Sequence, residues 1–249
     1  MTTRAVVVAM VVALSLACGS SADDERRGPR SRPSDCTSAP LMNLEWERRQ
    51  ITEDHRKELR TPEIQSLLAS FRAGKTRAFR SGCSFETAAG SGWAMVSAID
   101  AHQRGDDDQA REDLAAILWA TDRAVESGLL IDLIFLAKVS PWAADLASDR
   151  GTPLPVPANL SAGRFEIARR IASSELAAIE AFFADSGAPP ELLGVVRVIS
   201  ERGQRGLQAA RSYRDVEDIW HQTFGPRASG FGQTIFALRL TGSILDRRS

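Results

Sequence analysis

Residues 165–183 read FEIARRIASSELAAIEAFF, and Phe165, Ala168, Ala172, Leu176, Ile179 and Phe183 follow one another at steps of 3, 4, 4, 3 and 4. That rhythm matches the 3.6-residue turn of an α-helix and lays one apolar stripe along it. Glu166 and Arg170, four apart, can pair on the outer side.

Downstream the same period returns in Leu192, Val195, Val196 and Ile199, then in Ala209, Tyr213, Val216, Trp220 and Phe224. It closes with Phe231, Ile235, Leu238, Gly242 and Leu245. Upstream, three alternating prolines in Gly151–Pro157 demand a loop, because proline lacks the N–H that helix and central strand need. Residues 151–158 are therefore a candidate subdomain break. Before it, Leu129–Val139 is apolar nearly all round and reads as a buried helix, kinked or restarted at Pro141.

Ahead of that, Asp106–Asp108 open a helix with Ala110, Leu114, Ile117, Leu118, Thr121 and Val125 on one face and Gly128 as its stop. A helix from about Glu86 carries Trp93, Val96 and Ile99 and ends near Gly105. Thr61-Pro62-Glu63 supplies a capping hydroxyl and a first-turn proline. Leu44, Ile51 and Leu59 mark a charged first helix. No strand-length run alternates apolar with polar residues. The expected fold is all-α, with helical hairpins packed as a bundle or a short right-handed array over residues 41–249.

Gly105, Ala110 and Leu114 have the spacing of a turn and second helix in a tetratricopeptide repeat, and the stretch resembles one there. The upstream positions read Ala94, Ser97, Ala98 and Ala101, and 34 residues on, Ala144 matches Ala110 but Val139 and Ser148 stand in place of the Gly and Leu. Helical hairpins, not a repeat array, are the expectation.

The N-terminus is of another kind. Arg4 precedes thirteen residues, Ala5–Ala17, that are apolar except for Ser15, and Cys18-Gly19-Ser20-Ser21 follows. A basic start, a short apolar core and a small-residue boundary mark an export signal, here residues 1–17. Ser15-Leu16-Ala17-Cys18 resembles the lipobox of bacterial lipoproteins, although Ser15 stands where that family usually has Leu. The resemblance implies cleavage before Cys18, a diacylglycerol on its sulfur and, with Gly19 next, delivery to the outer membrane. Cleavage by an ordinary signal peptidase would instead release a soluble periplasmic or secreted chain. Residues 19–40, rich in Ser, Pro, Gly, Asp and Arg, cannot bury an apolar face and read as a disordered tether from lipid to body.

With Cys18 acylated, Cys36 and Cys83 remain, an even number suited to an oxidising compartment. A bridge pinning the arm to the body and two separate buried thiols both fit the spacing.

Of the 249 residues, 43% are apolar and 25% charged, with 31 basic against 32 acidic, so nothing concentrates positive charge for nucleic acid. Ala69–Thr76 satisfies a relaxed P-loop spacing, but Glu63–Ala69 ahead of it has helical spacing where a strand is required, so no nucleotide is expected. His55 with Glu58, and His221 with Glu217, read as surface pairs rather than metal ligands. The Asp106–Asp108 run reads as a helix cap. No metal or other cofactor is expected. Gly90-Ser91-Gly92 lacks the spacing of a nucleophile elbow and reads as a flexible turn. The tryptophans at 46, 93, 119, 142 and 220 read as core.

Asp132, inside Leu-Leu-Ile-Asp-Leu-Ile-Phe-Leu, stands out as a candidate buried acid, which must find a partner or rise in pKa. No catalytic set assembles around it from sequence. The leading expectation is a lipid-anchored, non-enzymatic helical module that binds or scaffolds another protein of the bacterial envelope. An envelope hydrolase and a purely structural envelope protein are the alternatives.

Overall fold

The computed structural model describes residues 51–77, 85–127, 130–149, 151, 154–185, 187–225 and 230–247. The signal sequence, lipobox, tether, Cys18, Cys36, Cys83 and Gly128 lie outside them. Ten α-helices and no strand make up the described chain: α1 (Glu53–Leu59), α2 (Pro62–Arg72), α3 (Glu86–Gln103), α4 (Asp107–Ser127), α5 (Leu130–Asp149), α6 (Ala158–Ser161), α7 (Arg164–Asp185), α8 (Pro190–Ala209), α9 (Tyr213–Phe224) and α10 (Gly230–Asp246). The fold is all-α.

Local chemistry sets the boundaries. Thr52 starts α1: its Oγ1 accepts from the His55 N–H while the His55 ring accepts from the Thr52 N–H, closing a reciprocal cap. Ile51 therefore precedes the first described helix, and His55 serves that cap. Ser212 and Asp215 build the same device before α9. Ala209 thus ends α8 instead of opening α9, because the cap resets the helix at Tyr213. Thr61 caps α2 by position only, since its hydroxyl donates back to the Glu58 carbonyl at 2.8 Å. Between α3 and α4, Gly105 takes φ +77°, and the N–H groups of Gly105 and Asp106 return to the carbonyls of His102 and Ala101. Asp106 then accepts from the Gln109 N–H, as expected of an acidic helix start.

Helix α3 packs against α1, α2, α4 and α5, while α5 is wrapped by α3, α4 and α10. Helices α7, α8 and α9 pack on one another, and α7 leans on α4 and α10. Residues on both sides of the proline loop share a hydrophobic cluster that runs from Ile51 to Leu245. Helix α5 is buried as its composition demands, but it runs through Pro141 without ending. Tertiary packing on three sides holds it where an isolated helix would break. On α8 the stripe is thinner than expected: Val196 is buried, whereas Val195 is exposed.

Gly90-Ser91-Gly92 is not a turn. All three residues are buried inside α3, where every residue from Ala88 to Ala98 is buried. The glycine content reflects close packing: a Cβ on Gly90 would stand 2.6 Å from Cδ2 of the buried Phe71 ring. Gly90→Ala should therefore destabilise the protein despite its better helix propensity, by about 1–3 kcal/mol. A urea titration with a lowered midpoint and unchanged slope is the expected reading.

Candidate functional site

Two places gather side chains that could act on something outside the fold. The first is an open cleft of about 570 Å³ between the end of α2, the outer side of α4 and the loop Leu154–Pro157. It begins with how α2 stops. Gly74 takes φ +65°, and the N–H groups of Gly74 and Lys75 return to the carbonyls of Phe71 and Ser70. This is a glycine-dependent helix end, which only a residue tolerant of the left-handed region closes without strain. The stretch with P-loop spacing is therefore a helix and its terminator.

The missing side chain of Gly74 makes room for Trp119 of α4, whose ring atoms would lie 2.4 Å from a Cβ there. Arg123 stands 5.3 Å from the centre of the Trp119 ring and donates to the Gly74 carbonyl at 3.4 Å. Leu154, Pro155 and Pro157 form the facing wall. Trp119 nonetheless keeps 47% of its surface exposed, against 0% for Trp93 and 3% for Trp220. It is not core, contrary to the expectation for the tryptophans. The reason is angular: one residue past Leu118, it lies about 100° off the buried stripe of α4.

Two polar networks fix the cleft's walls. At its rim Arg72 Nε donates to Asp113 at 2.6 Å, while Gln109 donates to the other carboxylate oxygen at 3.1 Å. Asp113 is wholly buried. On the loop side the backbone N–H of buried Asn159 donates to Asp122 at 2.7 Å, and its side-chain amide donates to the same carboxylate at 3.2 Å. Arg170 in turn donates to Asn159 Oδ1.

The second place is a pair of carboxyl groups. Asp132, in the first turn of α5, is buried with 3% of its surface exposed. Glu175 of α7 accepts the Leu130 N–H, at the start of α5, at 2.5 Å. Burial of the Glu175 carboxyl and, to a lesser degree, the charge of Asp132 push its pKa up to about 7, against the Leu130 hydrogen bond, which pulls it down. The fold thus brings Asp132 together with a second acid. Neither residue lines the clefts described here, which are bordered instead by residues such as Arg170, Ser174 and Gln204 on α7 and α8, and Trp119 on α4.

Of the other residues singled out from sequence, Gly105 sits in the α3–α4 turn, and Ala110 and Leu114 are buried on α4. Cys18, Cys36 and Cys83 lie outside the described residues. No group of three metal-ligating side chains occurs among the described residues, and no described helix is long and apolar enough to cross a membrane. Sequence reasoning missed Asp113 and Glu175. Both carried a readable signal, since each stands at helical spacing from apolar positions: Asp113 four before Ile117, Glu175 four after Ile171. Comparisons with known protein families, curated proteins and solved structures found no match to this chain.

Proposed function

We propose that this chain is a lipid-anchored, non-enzymatic binding module of the bacterial cell envelope, and that the Trp119 cleft receives a segment of another envelope protein. The observation that carries the reading is a large aromatic side chain left half in water above an open apolar cleft. Aromatic side chains of this kind anchor protein interfaces, because a rigid ring offers much area at little entropic cost. A glycine terminator and two buried polar networks hold the walls, so little ordering cost remains for the partner to meet. The lipid anchor rests on the resemblance of Ser15–Cys18 to a lipobox, and lipid chains beyond the first make such attachment firm. Nucleic acid and nucleotide have no place in this reading.

A second reading, an envelope hydrolase, draws on Glu175 and Asp132, since a carboxyl group titrating near neutrality beside another acid suits acid–base chemistry. Trp119 lines a cleft described above and neither acid does, which favours the binding module.

Site-specific photo-crosslinking in cells tests the choice. A photoreactive residue at position 119 should give one discrete protein adduct, and the same residue at exposed Arg202 of α8 should give none. Trp119→Ala should weaken association by about tenfold or more, as for a buried aromatic anchor. Its exposed position should hold the stability change below about 1 kcal/mol. Equal labelling from positions 119 and 202, or none from either, would contradict the proposal.

A further inference from the structure

We infer that the outer side of α10 rests on the lipid bilayer, with Phe236 and Leu240 at the boundary between headgroups and acyl chains of a leaflet that contains anionic lipid. The inference rests on the lipid anchor of the proposed function. Helix α10 is apolar nearly all round: over Gly230–Asp246 its charged residues are Arg239 and Asp246. Its inner stripe, Phe231, Ile235, Leu238 and Leu245, is buried. A second stripe is left over on the outside. Phe236 keeps 67% of its surface exposed, and Leu240, one turn on, keeps 43%. Half-buried Ile244 prolongs the stripe, and the three project within about 80° of one another. A helix apolar on both sides is ordinarily covered on both.

Charge, area and tether length select lipid as the occupant. Arg239 is held by the fold, donating to the Ala162 carbonyl at 2.7 Å. Asp246 projects about 120° away from Leu240. Exposed Arg247 follows the helix, with Arg248 next in sequence. The outer stripe thus ends in positive charge and carries no acid, which suits anionic headgroups. The other exposed apolar side chains have acidic company. Val195 and Val198 share α8 with exposed Glu191 and Glu201, Phe182 lies three residues from exposed Asp185, and Trp119 stands in a cleft bordered by Glu112 and Asp122.

Phe236 and Leu240 together offer on the order of 200 Å² of apolar area, far short of the about 800 Å² per partner of a stable protein interface. A second copy or another protein would gain too little there. A bilayer already joined to the chain needs less, because the anchor raises its effective concentration at the body. Residues 19–50 lie between Cys18 and Ile51. A coil of that length spans about 30 Å, while a folded body of this size is about 45 Å across. The body is therefore kept beside the leaflet, and α10 is the side that meets it with apolar surface and no acid.

Photo-crosslinking read by mass tests this. The full chain, with a photoreactive residue at position 236 or at comparably exposed position 198 of α8, is irradiated in cells and, once purified, in vesicles of mixed phosphatidylethanolamine and phosphatidylglycerol. Position 236 should give a chain heavier by one phospholipid, at roughly ten times the yield from position 198. With the reporter at position 240, Phe236→Glu should lower the lipid adduct by about tenfold. Equal yields from positions 236 and 198, an unchanged yield in Phe236→Glu, or a protein adduct at position 236 in place of lipid overturns the inference. The mass of the N-terminal peptide separates this outcome from the anchor. Lipid on Cys18 with no phospholipid adduct at position 236 overturns the α10 surface alone. An unlipidated chain that still gives the adduct overturns the anchor and supports the surface, and one that gives none overturns both.

Discussion

Asp113→Ala should cost about 3–5 kcal/mol of folding stability, the scale for removing one partner of a buried ion pair. Asp113 has no exposed surface and receives Arg72 at 2.6 Å and Gln109 at 3.1 Å, while Arg72 also reaches Ser97 on α3 at 3.4 Å. The carboxylate thus ties α2 to α4, and Arg72 extends the network to α3. Its removal leaves a guanidinium only 20% exposed without its anion. The pair itself contributes less than its breakage costs, because desolvating both charges offsets much of their attraction. A double variant, Arg72→Met with Asp113→Leu, should therefore recover most of the loss. Urea titration of the wild type, Arg72→Met, Asp113→Leu and the double variant separates these terms. Additive losses in the double variant would show that the two side chains act independently, against the arrangement described here. Arg72 also borders the Trp119 cleft, so Asp113→Ala should weaken cleft binding as well as folding.

Gly242→Ala should be nearly as damaging. A Cβ at position 242 would stand 2.1 Å from the Leu160 carbonyl oxygen, where α10 crosses α6. At Gly90 the crowded atom belongs to a side chain, which can turn. Here it is backbone, so relief requires α10 to move away from the loop–helix segment that follows the prolines. Helix propensity favours alanine over glycine by about 1 kcal/mol, and the crowding should exceed this to leave a net loss of about 3 kcal/mol. Arg239, whose guanidinium donates to the Ala162 carbonyl at 2.7 Å, should lose that bond as the helices separate. Thermal unfolding of Gly242→Ala with a midpoint equal to the wild type would show that the crossing is looser than described.

How much of this was legible beforehand depended on the range of the interaction. The stripe in α7 fixes a helix by itself, because its apolar period is local and long. The caps at Gly105 and Asp106 were legible for the same reason. Gly90-Ser91-Gly92 was misread because glycine pairs usually punctuate a chain. Here the buried Phe71 ring needs the space, and that contact spans nineteen positions of sequence. Asp132 was visible as an acid in an apolar run, but its neighbour Glu175 belongs to another helix and only folding brings them together. The cleft was the least legible feature, as it joins a helix end, an off-stripe tryptophan and a proline loop that have nothing in common until α2 and α4 pack.

The reading places the Trp119 cleft outside the cytosol on a chain held by lipid, and the intact mass of the protein from the envelope fraction tests this most directly. The expected result is a chain that begins at Cys18 and carries the mass of a diacylglycerol, with or without a further acyl group. An unmodified chain that still begins at Met1, recovered from the cytosol, would contradict it.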